Sequence, residues 1–177
     1  MANYMVAEST NLTGARIFNL QSTADVQNGA IVGKGDLVTG EKSVYTALED
    51  STAGMYLVLN PAWSYNNDRM TDQNEENFVN KAGVAFRAYG LKKDMKYKIS
   101  NIAETFAKGD YVTYNATTGK YEKDATSASA LKVVDVEEIG FPYCIGSIGA
   151  KVVGDTGNEY GYATGAKATK YTIEVVK

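Results

Sequence analysis

Phe106-Ala-Lys-Gly-Asp-Tyr-Val-Thr-Tyr-Asn-Ala-Thr-Thr-Gly-Lys-Tyr-Glu-Lys-Asp-Ala125 is the stretch whose reading decides the fold. Val112 and Tyr114 alternate with Tyr111 and Thr113, Asn115 to Gly119 carries turn chemistry, and Tyr121 resumes the alternation. That is the pattern of a β-hairpin. A shorter echo, Lys34-Gly-Asp-Leu-Val-Thr-Gly40, opens with the same Lys-Gly-Asp triplet. The repetition predicts that one device, a tight turn feeding an extended strand, is used twice.

Working outward, apolar alternation predicts strands at Arg16 to Leu20, Ala30 to Val32, Leu37 to Thr39, Val44 to Leu48 and Met55 to Leu59. Turns at Gly33 to Gly35, Gly40 to Lys42 and Asp50 to Gly54 would join the last four into a meander. Pro61 ends this block, since proline cannot continue a sheet interior. Strand character returns at Ala82 to Gly90, where Val84, Phe86 and Ala88 share one face, and at Tyr97 to Ile102, where Tyr97, Ile99 and Asn101 oppose Lys98, Ser100 and Ile102. Leu131 to Val136, Tyr143 to Val153, a short edge strand at Glu159 to Ala163, and Tyr171 to Val176 complete the set. No long 3.6-residue repeat occurs. The expected fold is therefore all-β, a small barrel or sandwich domain over residues 15–177, with an extended N-terminal arm at 1–14 and a polar loop at about 60–80.

The 177 residues suffice for one domain with a sizeable core. Eighteen basic against 21 acidic residues give a net charge of −3, so no broad phosphate-binding face is implied and direct nucleic-acid binding is disfavoured. The single cysteine, Cys144, excludes an internal disulfide and reads as a buried structural thiol. The N-terminus lacks a basic opening and apolar run, so no cleaved signal is expected, and no stretch of about 18 apolar residues predicts a membrane-spanning helix.

The sequence contains no histidine, which removes the Ser/His/Asp triad, the Cys/His dyad and every histidine-based zinc site. Gly35 to Ser43 nearly imitates a phosphate loop, but Glu41 stands before Lys42 and would repel an anion, so a turn is expected. Asp68, Asp72, Asn74, Glu75 and Glu76 gather oxygen ligands in one stretch that is either a calcium loop or a solvated polar loop. Glu137 and Glu138 would point to opposite faces of a strand, a poor glycosidase pair by themselves. No catalytic, cofactor-binding or metal-binding residue is assigned. Lys92, Lys93, Lys96 and Lys98 either meet an acidic partner or protect a sheet edge. The tyrosines, among them Tyr45, Tyr56 and Tyr97, serve as interface anchors or as sheet packing. Tyr4, Asn11, Arg16, Lys92, Lys93 and Lys96 are the candidate partner-binding residues.

The segment Phe78 to Ile102, with Lys-Ala-Gly-Val-Ala-Phe-Arg-Ala-Tyr-Gly-Leu at Lys81 to Leu91, resembles segments of tailed-bacteriophage structural proteins, as does Ala107-Lys-Gly-Asp-Tyr-Val-Thr113. In particular the chain resembles head decoration, or capsid cement, proteins, over roughly Phe78 to Val112 with an echo near Gly35. The resemblance implies a β-rich virion protein with a β-barrel or β-tulip-like core, made in the host cytoplasm and seated on the capsid surface. It also implies a homo-oligomer, a trimer favoured, that contacts the major capsid protein through an N-terminal arm, with no catalytic residues, cofactor or membrane. Two other functions are compatible with the residues. One is a tail, baseplate or head-fibre component gripping a host glycan through tyrosines and Trp63. The other is a carboxylate-dependent hydrolase whose fold brings two acids together.

Overall fold

The computed structural model describes residues 8–49, 54–61, 78–139, 142–143, 163–164 and 168–177. Among them the chain forms thirteen β-strands and no helix. The first six are β1 (Glu8–Asn11), β2 (Ile17–Gln21), β3 (Ile31–Leu37), β4 (Val44–Leu48), β5 (Tyr56–Val58) and β6 (Ala85–Gly90). Then come β7 (Lys96–Ile99), β8 (Tyr111–Asn115), β9 (Lys120–Lys123) and β10 (Leu131–Ile139). The last three are β11 (Pro142–Tyr143), β12 (Ala163–Thr164) and β13 (Ala168–Val175). The mainly-β expectation holds: β2-β4-β3-β5-β6 close into a barrel, and β1-β7-β13-β10-β8-β9 form a second sheet.

The first barrel is filled by Leu20, Val32, Val58, Phe86 and Ala88, one face of each contributing strand. Three expectations need correction here. The strands are not a meander, because β4's outer edge is taken by β2 in parallel, so β5 pairs with the opposite edge of β3. Gly33 to Gly35 is not a turn, since β3 runs straight through it and the pairing with β4 slips by one residue between Lys34 and Leu37. A Cβ on Gly35 would lie 3.2 Å from both Thr46 O and Leu48 Cδ2, so this glycine answers a close cross-strand approach at a bulge. Finally, Val84 does not share the face of Phe86 and Ala88. It precedes β6 in the turn closed by Val84 N to Lys81 O and is 57% exposed.

The second sheet curls until β9 meets the chain just beyond β7. Tyr121 N donates to Asn101 O (3.2 Å) and Ala103 N donates to Tyr121 O (2.9 Å), so the five strands from β7 to β9 also enclose an interior. Tyr97, Ile99, Val112, Tyr121, Leu131, Val133, Tyr171, Ile173 and Val175 fill it. Tyr97, Ile99 and Asn101 are buried, as their alternation predicts, while Lys98, Ser100 and Ile102 are half-exposed. A register shift between Val133 and Asp135 lets Val136 turn inward opposite Tyr171 after Val133 has done so. The hairpin of β8 and β9 forms as read, with Asn115 Oδ1 accepting from the amides of Thr117 (2.9 Å) and Thr118 (3.2 Å). At Lys108-Gly109-Asp110 the triplet is a turn, with Gly109 at φ +99. Asp110 caps it by accepting from Ala107 N (2.9 Å) and pairing with Lys123 Nζ (2.9 Å).

The two barrels share core. Val32 and Val58 face into the first, so Ile31 and Leu57 face out of it and are buried in the second. Burying two such side chains is worth about 1.5–3 kcal/mol each. At the same seam the Tyr121 hydroxyl, fully buried, donates to Gly29 O (2.7 Å) and lies 3.3 Å from the Tyr97 hydroxyl. Residues 1–7 of the expected arm lie outside the described residues. Residues 8–11 do not extend away but pair with β7 as an edge strand, because their backbone groups find partners there that a polar sequence alone does not reveal.

Tyr121→Phe should lower unfolding free energy by about 1–3 kcal/mol, since it keeps the ring but orphans Gly29 O and the Tyr97 hydroxyl in a dry seam. Urea denaturation measures this, and an unchanged midpoint would refute the role given to the hydroxyl. The Asp110 carboxyl is held below the usual 3.8, first by the Ala107 amide and then by Lys123. A carboxyl lowered on folding stabilises above its unfolded value, and that contribution disappears as pH falls through the folded value. Asp110→Asn should therefore reduce the thermal midpoint at pH 7, with the gap from the parent closing as the pH drops below 3.8.

Candidate functional site

Both barrels meet the N-terminal segment on one surface. β1 lies antiparallel on β7, with Glu8 opposite Lys98, Ser9 opposite Tyr97 and Asn11 opposite Lys96. The chain then turns, Ala15 N donating to Leu12 O (3.0 Å) and Gly14 at φ +74, and enters the first barrel as β2. Lys92 Nζ donates to Gly14 O (3.1 Å), and Gly90 N donates to Arg16 O (2.8 Å). Asn11, Arg16, Lys92 and Lys96, four of the six candidate partner-binding residues, are thus brought to one crossing. Lys93 is exposed and makes no ion pair among the described residues, while Tyr4 lies outside them.

Beside this crossing is a cleft of about 280 Å³ lined by Arg16, Phe18, Tyr56, Lys92 and the flanking Met55 and Leu91, with Gly54 and Gly90 also on its surface. The Tyr56 ring sits between the two glycines: a Cβ on Gly54 would lie 3.1 Å from it and one on Gly90 3.4 Å. Phe18 packs edge-on against Tyr56 (5.5 Å between centroids) and against Tyr45 (6.0 Å). Lys34 closes the cluster with its ammonium 3.6 Å from the Tyr45 centroid and 5.3 Å from that of Phe18. Tyr45 and Tyr56 are among the tyrosines singled out by sequence, whereas Phe18, Lys34 and the glycines are not. Strand parity contains the missing signal, because Phe18, Lys34, Tyr45 and Tyr56 stand two residues from the core positions Leu20, Val32, Ala47 and Val58.

On the outer face of the second barrel the lysines are engaged. Lys98 pairs with Glu137 (2.7 Å), Lys96 with Glu174 (3.4 Å) and Lys170 with Glu8. The hydrogen bond from Lys98 to Glu137 raises the ammonium pKa, helped by the charges of Glu8 and Asp135. For Lys96 and Lys98 the structure therefore shows partners within the same sheet, and Glu137 is committed to one of them. Only the Glu8–Lys170 pair reaches β1; a half-exposed pair of this kind contributes about 0–1 kcal/mol, so it pins β1 without locking it.

Gly35 to Ser43 spans the end of β3, a turn with Gly40 at φ +89 and the approach to β4, so strands flank it on both sides. Trp63, the oxygen-rich run from Asp68 to Glu76, and Cys144 lie outside the described residues. Among the described residues no three His, Cys, Asp or Glu side chains converge as a metal site, and no helix is long and apolar enough to cross a membrane. No protein-family model, curated protein or solved structure matches the chain.

Glu8→Gln removes the ion pair to Lys170 and should speed amide hydrogen exchange of residues 8–11 by up to about fivefold, the factor equivalent to 1 kcal/mol. Exchange unaltered by the substitution would mean that backbone pairing alone holds β1.

Proposed function

We propose that this chain is a decoration, or cement, protein of a tailed-bacteriophage head, which binds the outer surface of the assembled capsid through the major capsid protein and reinforces it. The observation that carries this reading is the gathering of Asn11, Arg16 and Lys92 at the crossing from β1 to β2, with Lys93 next in sequence. That crossing follows directly on the N-terminal segment, which the resemblance of Phe78 to Val112 assigns to capsid attachment. A protein that binds only the expanded lattice stabilises that lattice by mass action. Repetition of a weak contact over many identical sites then adds through multivalency.

A closed barrel suits such a role, because it leaves few strand edges to pair with neighbours indiscriminately. In this reading the protein is a homo-oligomer, a trimer favoured, resident on the virion surface, and it engages neither membrane nor nucleic acid directly. A second reading, a tail or head-fibre component that grips a host glycan, is favoured by the aromatic wall of Phe18 and Tyr56 in the cleft.

Co-sedimentation with heads of the encoding phage tests the first reading. The protein should pellet with expanded heads and stay in solution with unexpanded ones, and deletion of residues 1–7, which spares β1, should weaken retention by about tenfold or more. A chain left in the supernatant by mature heads, yet retained on specific spots of a glycan array, would transfer the conclusion to the second reading.

A further inference from the structure

We propose that the cleft at the β1–β2 crossing is a binding site for an acidic peptide segment, taking an aromatic or branched apolar side chain against the wall formed by Phe18 and Tyr56 and the neighbouring Asp or Glu carboxylate against Arg16 and Lys92. The site is a property of the isolated chain and does not rest on where in a virion the protein sits.

Volume sets the first limit. At about 280 Å³ the cleft stands at the lower edge of the range for small-molecule sites, about 300–1,000 Å³, a size that one side chain with its backbone fills. The remainder of a ligand must lie outside, as it does when a chain segment inserts an anchor. The walls set the second. Phe18, Met55, Tyr56 and Leu91 offer apolar surface, while Gly54 and Gly90 leave the Tyr56 ring uncovered where any larger residue would crowd it.

Charge decides the class. Arg16 and Lys92 line the cleft, and no described lining residue is acidic. The Lys92 ammonium is held by Gly14 O, which fixes its position without neutralising it. Exposed Arg16 makes no ion pair among the described residues, and its guanidinium can receive a carboxylate through two parallel N–H bonds. A neutral glycan would leave both cations unmatched. Nucleic acid would match them but would leave the apolar wall without purpose, and the chain's net charge of −3 opposes it.

The test uses the full chain, ¹⁵N-labelled, titrated with a capped Gly-Glu-Phe-Glu-Gly peptide and with its Gln-for-Glu counterpart. Saturable shifts are expected at the amides of Phe18, Gly54, Gly90 and Leu91. Affinity should fall about tenfold or more for the Gln peptide and for the Arg16→Glu, Lys92→Glu double variant, as loss of charge-assisted hydrogen bonds requires. Gly90→Ala preserves every charge, and its added methyl lies 3.4 Å from the Tyr56 ring; it should weaken binding by narrowing the floor. Equal affinity for both peptides, shifts that map elsewhere, or no saturable shift at millimolar peptide would overturn the proposal. A neutral oligosaccharide that shifts the same amides where the peptide does not would overturn it too. Decoration is judged separately. Heads that retain the double variant after it has lost the peptide refute only a role for this cleft on the capsid, and peptide binding by a chain that heads ignore refutes only the capsid.

Discussion

A single buried phenol holds the two halves of this molecule in register. The Tyr121 hydroxyl has one proton, and at 2.7 Å Gly29 O is its better acceptor. The contact with Tyr97, at 3.3 Å, is then satisfied only if Tyr97 donates to the Tyr121 oxygen. Burial pushes both phenols above their ordinary pKa of 10.0, so the pair stays protonated wherever the protein is folded under ordinary conditions. Gly29 is itself tied to the first barrel, its amide donating to Val58 O (2.7 Å). One chain of hydrogen bonds thus runs from the hairpin of the second barrel into the backbone of the first, in a region too dry for water to replace any link.

Packing around that chain explains why the hairpin has the shape it does. Tyr114 stacks edge-on against Tyr121 (5.3 Å) and touches both cores, and burial pushes its own hydroxyl up to about 12. Asn101, buried beside the closing strand, donates its carboxamide to Gly119 O. The turn of the hairpin is therefore fastened from inside by Asn101 and from outside by Asn115, and Tyr121 follows it by only two residues. With so little chain between anchor and phenol, the hydroxyl has small freedom to miss Gly29.

What could be read in the sequence divides along this line between local and remote causes. The hairpin was legible because its causes lie within it: alternation, an Asn able to accept two amides, and a glycine at positive φ. Lys-Gly-Asp carried the same letters at two places but not the same cause. Gly109 is a turn residue by its own backbone angle, whereas Gly35 is required by Leu48 and Thr46 across the ladder, and nothing within three residues of it announces that. The exchange of β5 to the far edge of β3 is equally remote, set by which edge β2 had already occupied. β1 shows the same limit, since Glu-Ser-Thr-Asn has no apolar period and is held by ladder bonds and the Glu8–Lys170 pair. For the candidate site, exposed cations betrayed themselves by type, while Phe18 looked like an ordinary strand residue and Lys34 like part of a turn until the barrel gave them a common end.

The crossing from β1 to β2 links these levels. Its start is paired to β7 of the second barrel and its end to β6 of the first, so its few residues span the joint that Tyr121 holds from within. Arg16 is fixed there through its carbonyl by Gly90 at the end of β6, and Lys92 through its ammonium by Gly14 of the crossing itself. Lys92 also opens its own turn, its carbonyl accepting from Met95 N (3.2 Å), so the crossing adds only the hold on its ammonium through Gly14. A surface that presents paired positive charge beside an aromatic wall is in this way a consequence of how the barrels join, and a segment bound there would feel the state of that joint. Occupancy and joint stability are then linked in both directions, as any ligand that prefers one arrangement of a protein must stabilise the arrangement it prefers.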